Sequence, residues 1–311
     1  MKKLTVALLS GGISPERDVS LKSGDEVFRA LDEEKYLVRR YDPATDLDRL
    51  VADAAHIDIA LVILHGPFGE DGTIQGFLDM LNIPYQGSGV LGSSVAMNKA
   101  VAKRLYQNAG LLAPPYKVMK KGEDCSFAEI ADEIGLPFLT KPVSGGSSIG
   151  MHIVGDETEF EKAAEDSFRY DIHVMAEAYI RGREITGSVL GNERLTLLPI
   201  VEIVPDSAHP FFDYKAKYTA GATKEICPAA IGDFLTRQAK ECAAKAHRAL
   251  CCRGYSRTDM IYAGERIFVL ETNTIPGMTP VSLFPLSARI AGLTFSQLLD
   301  RLIDLGLENR K

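Results

Sequence analysis

Residues Ser256-Arg257-Thr258-Asp259-Met260-Ile261-Tyr262, then Ala263-Gly264-Glu265, then Arg266-Ile267-Phe268-Val269-Leu270-Glu271-Thr272-Asn273-Thr274 read as two strands about a tight turn. With the turn centred near Glu265, Asp259 lies opposite Glu271 and Arg257 opposite Asn273. Residues two apart on a strand share a face, so all four side chains project together. Toward the turn that face is expected to become apolar, with Ile261 opposite Val269. Like charges facing each other across a sheet destabilise it unless something positive lies between them. A hard cation with oxygen ligands, such as Mg²⁺, meets that need, and Asn273 adds a neutral oxygen. The plainer reading is a carboxylate neutralised by Arg257 alone. Because the next loop, Ile275-Pro276-Gly277-Met278-Thr279, converges on the same end, the metal reading is favoured.

The opposite end of the chain has a different pattern. Leu4–Leu9 is an apolar run ending at glycine, Val19–Leu31 carries a loose helical periodicity, and Tyr36–Tyr41 and Ile57–Leu64 read as strands. Strand, helix, strand in that order predicts a parallel sheet with crossover helices, whose ligands bind beyond the carboxyl ends of the strands. Two unusual loops lie at those ends, Ser10-Gly11-Gly12-Ile13-Ser14-Pro15-Glu16-Arg17 and His65-Gly66-Pro67-Phe68-Gly69-Glu70-Asp71-Gly72-Thr73. The first is read as a turn before a helix capped by Ser20 or Asp18, or as a ligand loop, and it lacks the G-x-G-x-x-G dinucleotide fingerprint. For the second, binding is favoured over a merely structural histidine.

A second unit begins near residue 96, with a helix over Asn98–Ala109 that stops at Gly110. Beyond Pro114-Pro115 come a helix over Phe127–Ile134, a strand over Leu136–Lys141, and a partner strand within Ile149–Val154. The loop between these strands, Pro142-Val143-Ser144-Gly145-Gly146-Ser147-Ser148, is either a flexible hairpin tip or a cradle of backbone N–H groups for phosphate oxygens. It is not a P-loop, because no Gly-Lys-Ser/Thr ending or following helix is present. Glu177, in His173–Ile180, and Glu184, before Ile185–Leu190, are carboxylates at strand ends and carry little weight alone.

Composition bounds the rest. At about 150 residues per domain the 311 residues suggest two domains, or three small ones. With 46% hydrophobic and 25% charged residues the chain can bury a sizeable core. The net charge of -7 argues against nucleic acid as a partner. Five cysteines without a C-x-x-C pair suggest reduced thiols rather than a disulfide or zinc framework, and buried packing is expected for Cys251-Cys252. The first apolar run is too short for a signal sequence, and no run is long enough to cross a bilayer, so a cytoplasmic protein is expected.

Taken together, the motifs resemble the D-alanine–D-alanine ligases of the ATP-grasp superfamily over nearly the whole chain. They are Gly11-Gly12-Ile13-Ser14-Pro15-Glu16-Arg17-Asp18-Val19-Ser20-Leu21, Leu64-His65-Gly66 with Gly69-Glu70-Asp71-Gly72-Thr73, Lys141-Pro142 with Gly146-Ser147-Ser148-Ile149-Gly150, Asp213-Tyr214-Lys215-Ala216-Lys217-Tyr218, Ser256-Arg257-Thr258-Asp259, and Glu271-Thr272-Asn273-Thr274-Ile275-Pro276-Gly277-Met278-Thr279. The resemblance implies an α/β (α+β mix) chain, with an N-terminal parallel-sheet domain (1–95), a central ATP-grasp subdomain with the phosphate loop (96–182), and a C-terminal ATP-grasp subdomain with the metal site and a lid loop (183–311). It implies ligation of two D-alanines through an acyl phosphate, for peptidoglycan precursors, with ATP as co-substrate.

Residue roles follow from the same resemblance. Lys99 and Lys141 contact the α- and β-phosphates, Ser147 and Ser148 close over them, and Lys217 reaches the transferred phosphoryl group. Glu177 accepts from the adenine amino group, the Ile180 backbone completes that edge, Tyr179 forms an aromatic wall and Glu184 binds ribose. Asp259, Glu271 and Asn273 hold two Mg²⁺, with Mn²⁺ as a substitute and a monovalent cation as a further candidate. Glu16 binds the ammonium of the first D-alanine and His65 lies near its carboxyl. Arg257 and the Gly277 N–H form an oxyanion hole, and Ser282 with the Leu283 backbone anchors the second carboxylate. Tyr218 links the 206–223 lid to Glu16 and Ser148. A homodimer is implied as well. Val143-Ser144-Gly145 departs from the charged residues that relatives often carry there. Two other readings stand beside this one: a ligase with another second substrate (D-lactate, D-serine or another amino acid), and a non-catalytic nucleotide-binding protein.

Overall fold

The computed structural model describes residues 3–205 and 223–308. The first sheet joins β1 (Leu4–Leu9), β2 (Tyr36–Tyr41) and β3 (Ile59–Val62), all parallel, in the order β2-β1-β3. Its strands alternate between two cores. Val6, Leu8, Ile59 and Leu61 pack with Leu298, Leu299 and Leu302 of the C-terminal helix, Phe295–Leu307. Ala7, Leu9, Ala60 and Val62 pack on the other side with Leu50, Ile74 and Leu78. Burial on both faces is why β1 and β3 read as unbroken apolar runs.

The other two sheets are antiparallel. The second places β4 (Tyr116–Lys120), β5 (Phe138–Pro142), β6 (His152–Val154) and β7 (His173–Ala178) in the order β4-β7-β5-β6. Its core, with Met119, Ile130, Phe138, Phe160 and Val174, is drawn from its own strands and the two helices Phe127–Ile134 and Glu157–Ser167. The third contains β8 (Arg183–Leu190), β9 (Thr196–Leu197), β10 (Val201–Pro205), β11 (Thr223–Ile226), β12 (Tyr255–Ala263) and β13 (Arg266–Asn273). Helix Asp233–Ala249 covers one face of it through Leu235, Ala239, Ala243 and Ala246.

The hairpin of β12 and β13 pairs Arg257 with Asn273 and Asp259 with Glu271, as the sequence predicts. Its turn residues Gly264 and Glu265 both have positive φ, +52° and +66°, the backbone of a two-residue I′ hairpin turn. Closer to the turn the expectation fails: Ile261 pairs with Phe268, not Val269, because a bulge lies between Asp259 and Met260. One extra residue on β13 shifts the alternation, so Val269 joins the core with Met260 while Leu270 and Ile261 face the cleft. A second correction concerns the first helix. It spans Arg17–Ala30 with no side-chain cap, so neither Ser20 nor Asp18 caps it. The Ser20 hydroxyl instead accepts from Gly11 N–H at 2.8 Å and donates to the Ile63 carbonyl at 2.5 Å, tying the first loop to the end of β3. All five thiols are free, but Cys251 is exposed rather than packed.

Candidate active site

The cleft lies where the second and third sheets face each other. It is lined by Lys99, Lys141, Gly145, Gly146, Ser148, Glu177, Tyr179, Ile180 and Glu184 on one side of the sequence and by Asp259, Ile261, Leu270 and Glu271 on the other. Lys99 opens helix Lys99–Asn108, where the Asn98 side chain caps by accepting from Val101 N–H. Its ammonium donates to the Gly145 carbonyl and lies 3.9 Å from Glu271. The phosphate-loop candidate bridges β5 and β6, with Ser147 and Ser148 both at positive φ, +52° and +56°.

Glu177 is the largest departure from the sequence reading. It is the next-to-last residue of β7, as a strand-end position requires, but it is buried rather than solvated. Lys141 Nζ donates to its Oε1 at 2.8 Å, and Lys103 Nζ, wholly buried, pairs with Oε2. Burial alone would raise this carboxyl, but the two ammonium groups outweigh it and hold it at about 2. The Lys103 ammonium is lowered as well: burial outweighs the attraction of Glu177, and the like-charged Lys141 adds to the depression. The sequence signal for Lys103 was its spacing from Lys99, one helical turn on the same face.

The hairpin end gathers Asp259, Arg257 and Asn273. Arg257 donates from Nε to Asp259 Oδ1 at 2.9 Å and from Nη2 to Oδ2 at 2.8 Å. Asn273 Nδ2 donates to Oδ2 at 3.0 Å, and Thr186 Oγ1 donates to Oδ1 at 2.7 Å. No group of three His, Cys, Asp or Glu side chains suited to a metal occurs among the described residues. Two carboxylates in register and an amide, all hard oxygen donors, nevertheless suit Mg²⁺, and the Asn273 amide turns its NH₂ toward Asp259, leaving its carbonyl for a ligand.

A second cluster adjoins Arg257 at the ends of the parallel strands. The Ser147 hydroxyl donates to Glu16 Oε1, so the central loop reaches the start of the first helix. Gly66 has a φ of +70°, a backbone that favours glycine, and a Cβ there would stand 2.7 Å from Glu16 Oε2 and displace that carboxylate. Burial first, then the Arg257 charge, lowers the buried His65 imidazole to about 4, so it is neutral near pH 7. His65 Nε2 has no hydrogen-bond partner among the described residues. Glu70 shares the loop that begins at His65. It accepts from Gly66 N–H at 2.8 Å, and burial together with the charge of Glu16 pushes it up to about 8.

The remaining candidates follow β13. Gly277 sits beside Ser282, whose side chain meets the Thr279 hydroxyl at 2.8 Å. Ser282 and Leu283 stand at the start of helix Leu283–Ile290, whose first N–H groups are unpaired within the helix and suit a carboxylate. Lys217 and Tyr218 lie outside the described residues, as does the 206–222 part of the expected lid.

Family models for the C-terminus and N-terminus of D-ala D-ala ligase match residues 105–304 and 42–88. The chain belongs to the D-alanine–D-alanine ligase family. A family member from Syntrophobacter fumaroxidans is 60% identical over 308 residues, covering 99% of both chains. Another, from Desulfotalea psychrophila, is 52% identical, covering 100% of this chain and 97% of the relative. Among solved structures, the Bacillus anthracis D-alanine–D-alanine ligase complexed with ATP superposes with a TM-score of 0.87 at 36% identity, covering 99% and 98% of the two chains. The VanG D-Ala:D-Ser ligase of Enterococcus faecalis gives 0.84 at 31%, covering 98% and 100%. The D-alanine–D-alanine ligase family carries the ATP-grasp fold, and the parallel first sheet with two antiparallel sheets around a cleft is its arrangement here.

Proposed function

We propose that the protein joins two D-alanines to D-alanyl-D-alanine at the expense of ATP, supplying a peptidoglycan precursor. The observation that carries this reading is full-length similarity at 60% identity to a D-alanine–D-alanine ligase, together with the convergence of Lys99, Lys141, Glu177, Glu184, Asp259 and Glu271 on one cleft. A carboxylate resists attack by an amine because it has no good leaving group. Transfer of the ATP γ-phosphoryl to the first D-alanine makes an acyl phosphate. The second amine then attacks the carbonyl, giving a tetrahedral intermediate from which phosphate leaves.

The assignments divide along the chain, read as units 1–95, 96–182 and 183–311. Lys99, Lys141 and the Ser147-Ser148 loop neutralise the triphosphate, and Lys217 reaches the phosphoryl group. Glu177, Tyr179, Ile180 and Glu184 hold the nucleoside. Asp259, Glu271 and Asn273 hold two Mg²⁺, which supply charge neutralisation along the phosphates. A monovalent cation remains a further candidate activator. Glu16 takes the first ammonium and the neutral His65 faces the same substrate. The Arg257 guanidinium and Gly277 N–H bind the oxyanion, while Ser282 and Leu283 bind the second carboxylate. Tyr218 links the lid to Glu16 and Ser148. The protein acts in the cytoplasm as a homodimer on small molecules, without nucleic acid or membrane. No helix among the described residues is long and apolar enough to cross a membrane.

The test is phosphate release with ATP, Mg²⁺ and D-alanine, repeated with L-alanine, D-lactate or D-serine as acceptor. D-alanine-dependent turnover is expected, and its absence sinks the proposal. Glu271→Gln should raise the Mg²⁺ concentration needed for half-maximal rate; an unchanged titration removes Glu271 from the metal site.

A further inference from the structure

Lys103 has no part in the roles assigned above, yet it is the most deeply buried ammonium at the cleft. It is completely inaccessible, does not line the cleft, and lies 5.8 Å from the centre of the Tyr116 ring. Its partner Glu177 is shared with Lys141, which does line the cleft. Two cations therefore surround one buried carboxylate, leaving a positive charge unmatched within the trio. Burying an unmatched charge is costly, and an arriving phosphate removes the cost by drawing Lys141 to itself. Glu177 then keeps Lys103 as its counter-ion and has Oε1 free.

We propose that Lys103 is the positioning residue for base recognition: it keeps Glu177 ionised and fixed after Lys141 turns to the nucleotide, so that Glu177 accepts from a 6-amino purine and rejects a 6-oxo purine. This rests on the nucleotide reading of the cleft. An ionised carboxylate only accepts, so it pairs with the amino group of adenine and repels the carbonyl of hypoxanthine. Without Lys103, Glu177 is a buried carboxylate facing Lys141 from β5 and paired across strands with Tyr116 of β4, while Glu271 of β13 is a further acid whose charge reaches Lys103. Once Lys141 is drawn to phosphate, burial raises the Glu177 pKa and the carboxyl takes a proton. A carboxylic acid donates, and so tolerates the 6-oxo group.

The experiment measures binding of ATP–Mg²⁺ and ITP–Mg²⁺ by calorimetry without D-alanine, from about pH 6 to about pH 9, so that it spans the ordinary ionisation range of a raised carboxyl. Lys103→Met should reduce the ATP-over-ITP preference by about tenfold, the scale of one hydrogen bond to a charged group. ATP affinity in that variant should fall as pH falls, whereas the wild type stays flat. Lys103→Arg should recover part of the preference. In a Glu177→Gln background, Lys103→Met should change the preference no further, because Lys103 acts through Glu177. If Lys103→Met does not fold, Lys103→Gln, which still donates to Glu177 but carries no charge, is read in the same way. A folded variant with lower thermal stability but an unchanged preference and a flat pH profile overturns the proposal. Binding is read apart from turnover, so failure of D-alanine ligation in the wild type would strike the ligase reading and leave this result standing.

Discussion

The guanidinium of the buried Arg257 commits Nε and Nη2 to Asp259, and no hydrogen bond from Nη1 occurs among the described residues. A cation fixed in this way is pre-organised for charge that develops only when a carbonyl becomes tetrahedral. Arg257→Ala should therefore lower kcat by about 10²- to 10³-fold, the usual loss of an oxyanion donor. ATP binding, measured separately, should change by no more than a few-fold; an equal loss of ATP affinity contradicts the role. His65 gives a different prediction, in pH. Its imidazole titrates at about 4 in the fold against 6.5 ordinarily, so between those values the unfolded chain binds a proton that the folded chain refuses. Stability from this group is fully present above pH 6.5 and lost as pH falls toward 4. His65→Gln should flatten that decline by on the order of 1–3 kcal/mol, from the linkage of pKa shift to stability. Urea unfolding at several pH values reads it, and parallel curves for the two proteins would refute it.

The first helix is held close to the end of β1 by a glycine. A Cβ on Gly24 would stand 2.5 Å from both Cβ and Oγ of Ser10, so Gly24→Ala must push the helix off the sheet. The cost should be about 1–3 kcal/mol, the range for overpacking. Because Glu16 precedes this helix, the KM for D-alanine should rise while that for ATP holds; a rise in both, or in neither, goes against it. Such contacts explain what the sequence could and could not tell. The β12–β13 pairing of Arg257 with Asn273 was legible from a turn centred on Glu265; the actual Gly264-Glu265 turn alone would set Arg257 opposite Thr272, and the extra residue of the bulge restores the pairing. The bulge beyond Asp259 was not legible, since one extra residue between two apolar stretches leaves no hydropathy trace. Ser20 looked like a cap because its type favours caps, but its partners, Gly11 and Ile63, come from the loop and the strand end it joins. Glu177 looked solvated because neither lysine that pairs with it is near it in sequence.

At the scale of the whole molecule, the three sheets do not share one core. The C-terminal helix packs onto the first sheet, so Leu302 touches a cluster with Val6, Leu8, Ile59, Leu61, Tyr255 and Phe284. The core of the second sheet, around Ile130, Phe138 and Phe160, contains none of these. Helix Lys99–Asn108 joins the core of the third sheet through Ala102 and Tyr106, while at the cleft Lys99 meets Glu271 and Ser147 meets Glu16. Leu302→Ala should cost about 2–5 kcal/mol, the range for a buried leucine. Without nucleotide, the loss should fall unevenly: amide hydrogen exchange should quicken across 4–62 and 255–307 and stay near wild type across 116–178. ATP–Mg²⁺ at about a hundred times its Kd should add about 2.7 kcal/mol by mass action. Since the residues proposed to hold it come from both sides of the cleft, it should slow exchange in both regions together, and chelation of the metal should reverse this. Equal acceleration in all three sheets before nucleotide is added would mean that the chain unfolds as one unit, and the division at the cleft would fail.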